Sequence, residues 1–277
     1  MPKLTEHEMG QEMGQEMGIR RFGRVNWLGL YTLALREVVR FTSIWTQTVL
    51  APLINAGLFL LVFDLAIGSR RGDVMGVSFA HFLAPGILMM SIIQNAFANT
   101  ASSLVISKLQ GNIVDTLMPP LSPLEMVIGF TMGGVVRGLM VAMAVAIVTF
   151  PALGLGIAHP LWVLAFVLLA SIMLSLIGVL AGVLSDRFDQ MNAITNFIVT
   201  PLSFLSGTFY SIQILPPALQ NVTHYNPIFY LIDGLRYGVL GVSDRPPVTG
   251  ALFCTALSAL LGLWAWRWFA RGYRLKS

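Results

Sequence analysis

Arg137 stands alone in a long apolar run. An ionised side chain is expensive in such surroundings and marks a cavity or an interhelical contact. The alternative is a span that begins later and leaves it nearer an interface. Asn95 and Asn99 share one helical face, as do Asn192 and Asn196. Such amides line a polar path or hydrogen-bond between helices. The other reactive side chains form no catalytic set. His7, His81, His159 and His224 lie in the tail or in loops, without a metal-ligand spacing such as HExxH, so no metal site is expected. No GxSxG nucleophile elbow occurs, and Ser206-Gly207 reads as a helix end and turn. The single cysteine, Cys254, lies in an apolar run, excludes an internal disulfide and reads as a packing residue. No GxxxxGK(S/T) phosphate loop is present, so if the protein works with ATP another chain must bind it.

A bundle of membrane helices must position these groups. The chain has 277 residues, 56% hydrophobic and only 11% charged, with mean hydropathy +0.75; a soluble domain carries about 25% charged residues. The net charge of +4 does not point to nucleic acid, because the basic residues gather at membrane borders. Residues 1–19 read as a disordered tail: acidic, without an apolar signal core, and carrying the repeat EMGQEMGQEMG at 8–18. Residues 20–277 read as one all-helical membrane domain. Six apolar spans are expected at 44–67, 82–102, 124–150, 161–185, 193–210 and 248–269, each near the roughly 20 residues that cross a bilayer. Twelve Lys and Arg fall on one side of these spans and four on the other. That bias places both termini in the cytoplasm.

Three connecting stretches are unusual. At 26–43, Gly29, Thr32, Arg36, Arg40 and Ser43 form one stripe opposite Trp27, Leu30, Tyr31, Ala34, Leu35, Val38 and Phe41. This predicts an interfacial helix whose basic stripe meets lipid headgroups or a partner. In the loop 103–123, Val105, Leu109, Ile113 and Leu117 share a stripe beside Lys108, Asn112 and Asp115, and Pro119-Pro120 ends the element. It is a short amphipathic helix that another protein can grip, or an ordinary connection. At 204–241, Pro216-Pro217 and Asn226-Pro227 break an apolar stretch into two pieces, 218–223 and 228–240, too short to cross, which reads as a re-entrant or interfacial hairpin on the extracytoplasmic side. Small-residue patterns, Gly129/Gly133, Gly134/Gly138 and Gly178/Gly182, allow close helix approach inside the chain or at a dimer seam.

Two stretches resemble a known family, the ABC-2 type transporter permeases. GNIVDTLMPPLSPLEMVIG at 111–129 is similar to the family's segment after the second span, and HYNPIFYLIDGLRYGVLG at 224–241 is similar to its C-terminal signature. The resemblance implies half of an ATP-driven exporter that dimerises, as a homodimer here, and binds a separate cytoplasmic ATPase holding ATP and magnesium. It places the coupling contact on Gln110, Gly111, Asn112, Ile113, Asp115, Thr116, Leu117 and Met118. Asn226, Pro227, Asp233, Arg236 and Tyr237 would form an extracytoplasmic gate. Arg137, Asn95, Asn99 and Asn196 remain candidates for a pathway or for interhelical bonds. The resemblance implies a hydrophobic, amphipathic or saccharide-type cargo, and the few charges within the spans suit an amphipathic or lipid-like one rather than a small ion. The competing classes are a membrane scaffold that moves nothing and an ion-coupled transporter; paired carboxylates in the spans, which the latter needs, are absent.

Overall fold

The computed structural model describes residues 25–63, 65 and 73–274. The expected tail at 1–19 and the basic residues Arg20, Arg21, Arg24, Arg70 and Arg71 lie outside the described residues. Helix α1 is Trp27–Thr42. A π-helical turn, Thr46–Leu50, leads into α2, Ala51–Phe63. There follow α3, Phe79–Leu109, the five-residue α4, Ile113–Leu117, α5, Pro123–Leu153, and α6, Pro160–Leu184. A further helical run comprises α7, Phe188–Ile194, a π-helical segment Thr195–Val199, and α8, Thr200–Leu205. Then come α9, Pro217–His224, α10, Pro227–Leu240, and α11, Pro247–Ala270. Among the described residues no strand forms; Val74 and Val77 make an isolated bridge.

Among the described residues five helices are long and apolar enough to cross a membrane: Thr46–Phe63, α3, α5, α6 and α11. The expected span at 193–210 is occupied by the α7–α8 run, where Asp189, Gln190, Asn192 and Asn196 dilute the apolar character. Its chain leaves the helix at Ser206, and Gly207 turns with φ +77°. The second span is longer than expected. α3 continues to Leu109, so Ser103 to Leu109 belong to the helix rather than to the loop. Ser107 lowers the cost of its buried hydroxyl by donating to the Ser103 carbonyl at 2.8 Å, and Lys108 reaches the carbonyl ends of α6 at Val183 and Ser185. His81 and His224 are helical residues, in the first turn of α3 and at the end of α9, and not loop residues.

α3 is the central post. Its apolar window is 78% buried in the chain, against 22% for Thr46–Phe63 and α11. Lipid tails are as apolar as leucine, so close packing and interhelical hydrogen bonds hold such a bundle more than burial from water does. The glycine patterns serve contacts within this chain. A Cβ at Gly129 or Gly133 would come within 2.5 Å of Leu33 or Glu37 of α1. Gly134 and Gly138 face Ser175 and Ser171 of α6, and Gly178 and Gly182 admit α3.

Candidate functional site

The α4 end of the bundle is built on a buried carboxylate. Glu37 is fully buried on α1. Its Oε1 accepts from the Ser103 hydroxyl at 2.7 Å and faces Arg36 at 3.2 Å, while Oε2 accepts from Arg40 Nη2 at 3.1 Å. Arg40 also donates to the Asn99 carbonyl at 2.8 Å and to Asn99 Oδ1 at 3.0 Å. Of the expected basic stripe Arg40 is drawn toward the protein while Thr32, Arg36 and Ser43 stay exposed, and on the other side of the helix Trp27, Tyr31 and Leu35 are exposed as well. The reason is charge pairing. A buried carboxylate needs cations and donors, and only the protein side of α1 supplies them.

Arg36 carries this network outward, donating to Thr116 Oγ1 of α4 at 2.8 Å. α4 itself stands proud of the bundle. Gly111, with φ +74°, turns the chain out of α3. Gln110, Gly111, Asn112, Asp115 and Met118 are exposed, while Ile113 and Thr116 are buried; Leu117 closes the helix. Of the expected apolar stripe Ile113 anchors α4, while Val105 is a buried residue of α3 and Leu109 is exposed at its end. Ser122 and Glu125 form a reciprocal capping box that starts α5. The second Glu125 oxygen accepts from the Asn26 backbone amide at 2.7 Å, so one carboxylate caps α5 and holds the start of α1.

Halfway along α5, Arg137 lines a cavity of about 440 Å³ between α2, α3, α5 and α8. Its Nη2 donates to Asn95 Oδ1 at 3.0 Å, while its buried Nε has no partner. Gln47, Asn55, Ser91 and Gln94 add polar groups to the wall, and Phe59, Phe204 and Met90 add apolar ones. The four candidates for a polar interior thus separate. Arg137 and Asn95 meet in the cavity, Asn99 binds Arg40, and Asn196 is exposed on the far side of its helix. Gln47 and Asn55 add wall amides beyond the expected site residues; in the sequence Asn55 shows only as an interruption of the first apolar run.

At the opposite end the hairpin is tied into the bundle. Pro217 and Pro227 each occupy the first turn of a helix, so the prolines that interrupt the chain also begin α9 and α10. Asn226 caps α10 through the Ile228 amide at 3.0 Å and donates to Ser206 Oγ at 2.7 Å. Asp233 and Arg236 are buried one turn apart, 3.7 Å between charges. Asp233 accepts the Asp244 and Arg245 amides at 2.8 and 2.9 Å. Arg236 donates to the Gly207 carbonyl at 2.7 Å, and its guanidinium lies 3.9 Å from the Phe82 ring centre. Tyr237 stacks on His159. Arg245 reaches His224 at 2.8 Å, and burial together with Arg245 holds the His224 imidazole below its ordinary range. Asp244, which takes the Ser211 hydroxyl at 2.7 Å, completes this knot; its place after the helix gave no periodic signal. Cys254 is buried against the Pro227 carbonyl.

The architecture is that of a polytopic membrane subunit with an exposed handle at one end, a polar cavity in the middle and a knotted cap at the other. The ABC-2 type transporter model matches residues 29–240, and the chain belongs to that family. It is 38% identical over 251 residues to the inner membrane transport permease YadH of Escherichia coli strain K12, covering 91% of this chain and 98% of that one. It is 24% identical over 224 residues to nodulation protein J of Rhizobium leguminosarum bv. viciae, covering 79% and 84%. It is a multi-pass inner membrane transport permease subunit and not an enzyme, and membership of the family implies pairing with an ABC ATPase.

Proposed function

We propose that this chain is the membrane half of an ATP-driven exporter for an amphipathic or saccharide-type cargo, and that α4 is its coupling helix. The observation that carries this reading is the bond from Arg36 to Thr116. It links an exposed five-residue helix to Glu37, Arg40 and Asn99, and hence to the central post α3. A push on α4 is thereby delivered to the helices that wall the cavity. Coupling requires contacts that differ between states, and Asp115 and Met118 are free to make them. In this reading α7–α8 makes the sixth crossing despite its polar residues, both termini and α4 are cytoplasmic, and α9–α10 is a re-entrant cap over the outer end. α1 lies at the cytoplasmic face with Trp27 and Tyr31 toward lipid headgroups. A second copy covers the open side of the cavity, where Gln47 and Asn55 are exposed. ATP and magnesium are held by the partner ATPase.

Mild-detergent purification of the tagged chain from its own host tests the partnership: a stoichiometric subunit carrying a GxxxxGK(S/T) loop is expected. Asp115→Arg should weaken docking or abolish stimulated ATPase activity while leaving the thermal midpoint of the purified chain unchanged. Full docking and full stimulation in that variant would remove α4 from the coupling role.

A further inference from the structure

We infer that the cavity at Arg137 binds the anionic group of an amphipathic ligand, a phosphate or carboxylate carried on an apolar body. This deepens the transport reading and rests on it. Arg137 is nine-tenths buried, and its buried Nε has no hydrogen-bond partner. Asn95 satisfies only one of its donors. Among the described residues no carboxylate pairs with it: the acidic groups that meet cations are Glu37, Asp186 and Asp233, each taken by another residue. A guanidinium presents donors in a fixed fork that matches the oxygens of phosphate or carboxylate. An unanswered cation at the middle of a spanning helix is costly, and an anion is the chemical group that relieves it most. The rest of the wall defines the body of the ligand. Ser91, Gln94 and Asn95 surround the cation with neutral hydrogen-bonding groups, while Phe59 and Phe204 supply an aromatic wall. A small hydrated ion gains nothing from those rings; an acyl or isoprenoid body does.

The test uses the full-length purified chain without nucleotide, so its outcome is separate from whether an ATPase co-purifies. Dioctanoyl phosphatidic acid, dioctanoylglycerol and inorganic phosphate are titrated, and retention is read by native mass spectrometry. The acidic lipid should be held about tenfold more tightly than the neutral one, equivalent to about 1.4 kcal/mol. Arg137→Gln should erase that preference, and Arg137→Lys should restore part of it. Asn55→Trp, which fills the cavity mouth and keeps the charge, should also lower retention, and it decides the matter if Arg137→Gln does not fold. Equal retention of the two lipids, or undiminished retention in both Arg137→Gln and Asn55→Trp, would overturn the site. Displacement of the acidic lipid by equimolar inorganic phosphate would overturn the amphipathic assignment and leave a small-anion site.

Discussion

Arg137 and Arg236 are both buried arginines on helices of one bundle, and their surroundings answer them differently. Arg236 has a carboxylate one turn away, a carbonyl at the Gly207 turn and an aromatic ring beneath it. Arg137 has one amide and an open cavity. The first arrangement is enclosed by the protein, its charge met by Asp233 although its Nε and Nη1 make no hydrogen bond, and it fixes where the hairpin sits. The second is left incomplete at a place a ligand can reach. Burial of a charge therefore does not by itself separate structure from function. What separates these two is a facing carboxylate, which Arg236 has in Asp233 and Arg137 lacks among the described residues.

The sharpest way to break this contrast is at the closed arginine. Asp233→Ala leaves Arg236 as an uncompensated buried charge, which should cost about 3–5 kcal/mol. It should show as a strongly lowered midpoint in thermal denaturation of the detergent-purified chain, with proteolysis of the 206–226 segment. Glu37→Gln comes next. It keeps the shape of the side chain but removes the charge that Arg36 and Arg40 face, and should cost about 1–3 kcal/mol; protection of α1 amides from hydrogen exchange reads that loss. Arg137→Gln should fall within about 1 kcal/mol of the parent in the same melt, since it trades an unanswered charge for a neutral amide. A large destabilisation there would place Arg137 with Arg236 and erase the distinction. The smallest effect is a pH dependence. His224 accepts from Arg245 only when neutral, and its folded-state pKa lies below the ordinary value. Its contribution is complete above about pH 6.5 and is lost as the pH falls through the lower, folded value. A melt that softens slightly from pH 7.5 to pH 5, and is flatter in His224→Asn, checks this.

How well the sequence announced these features depended on how local their causes are. Pro217, Pro227, Asn226 and Gly207 act on their own backbone, so the hairpin's pieces could be read to within a residue or two. Arg137 was visible because a single charge in an apolar run needs no partner to be noticed. Glu37 was not, because it lies between Arg36 and Val38 on a helix that already looked amphipathic; its burial depends on Ser103 and Gly133, far along the chain. The end of α3 was misjudged for a related reason. Ser103, Ser107 and Lys108 look like a loop until Glu37, the carbonyl of Ser103 and the end of α6 take up their polar groups. Asn99 and Asn196 share a residue type and a plausible spacing, yet one is sealed against Arg40 and the other faces outward. Nothing short of the packing distinguishes them.

The carboxylate of Glu125 also has a bearing on how the molecule is assembled. It serves the Ser122 amide of its own helix and the Asn26 amide 99 residues earlier. When α1 leaves the ribosome, the group that will hold its first amide has not been synthesised. That amide must stay hydrated until the third long apolar helix has been threaded into the bilayer. The first described helix accordingly cannot settle before α5 is in place, and a nascent chain halted before residue 125 should carry it loose.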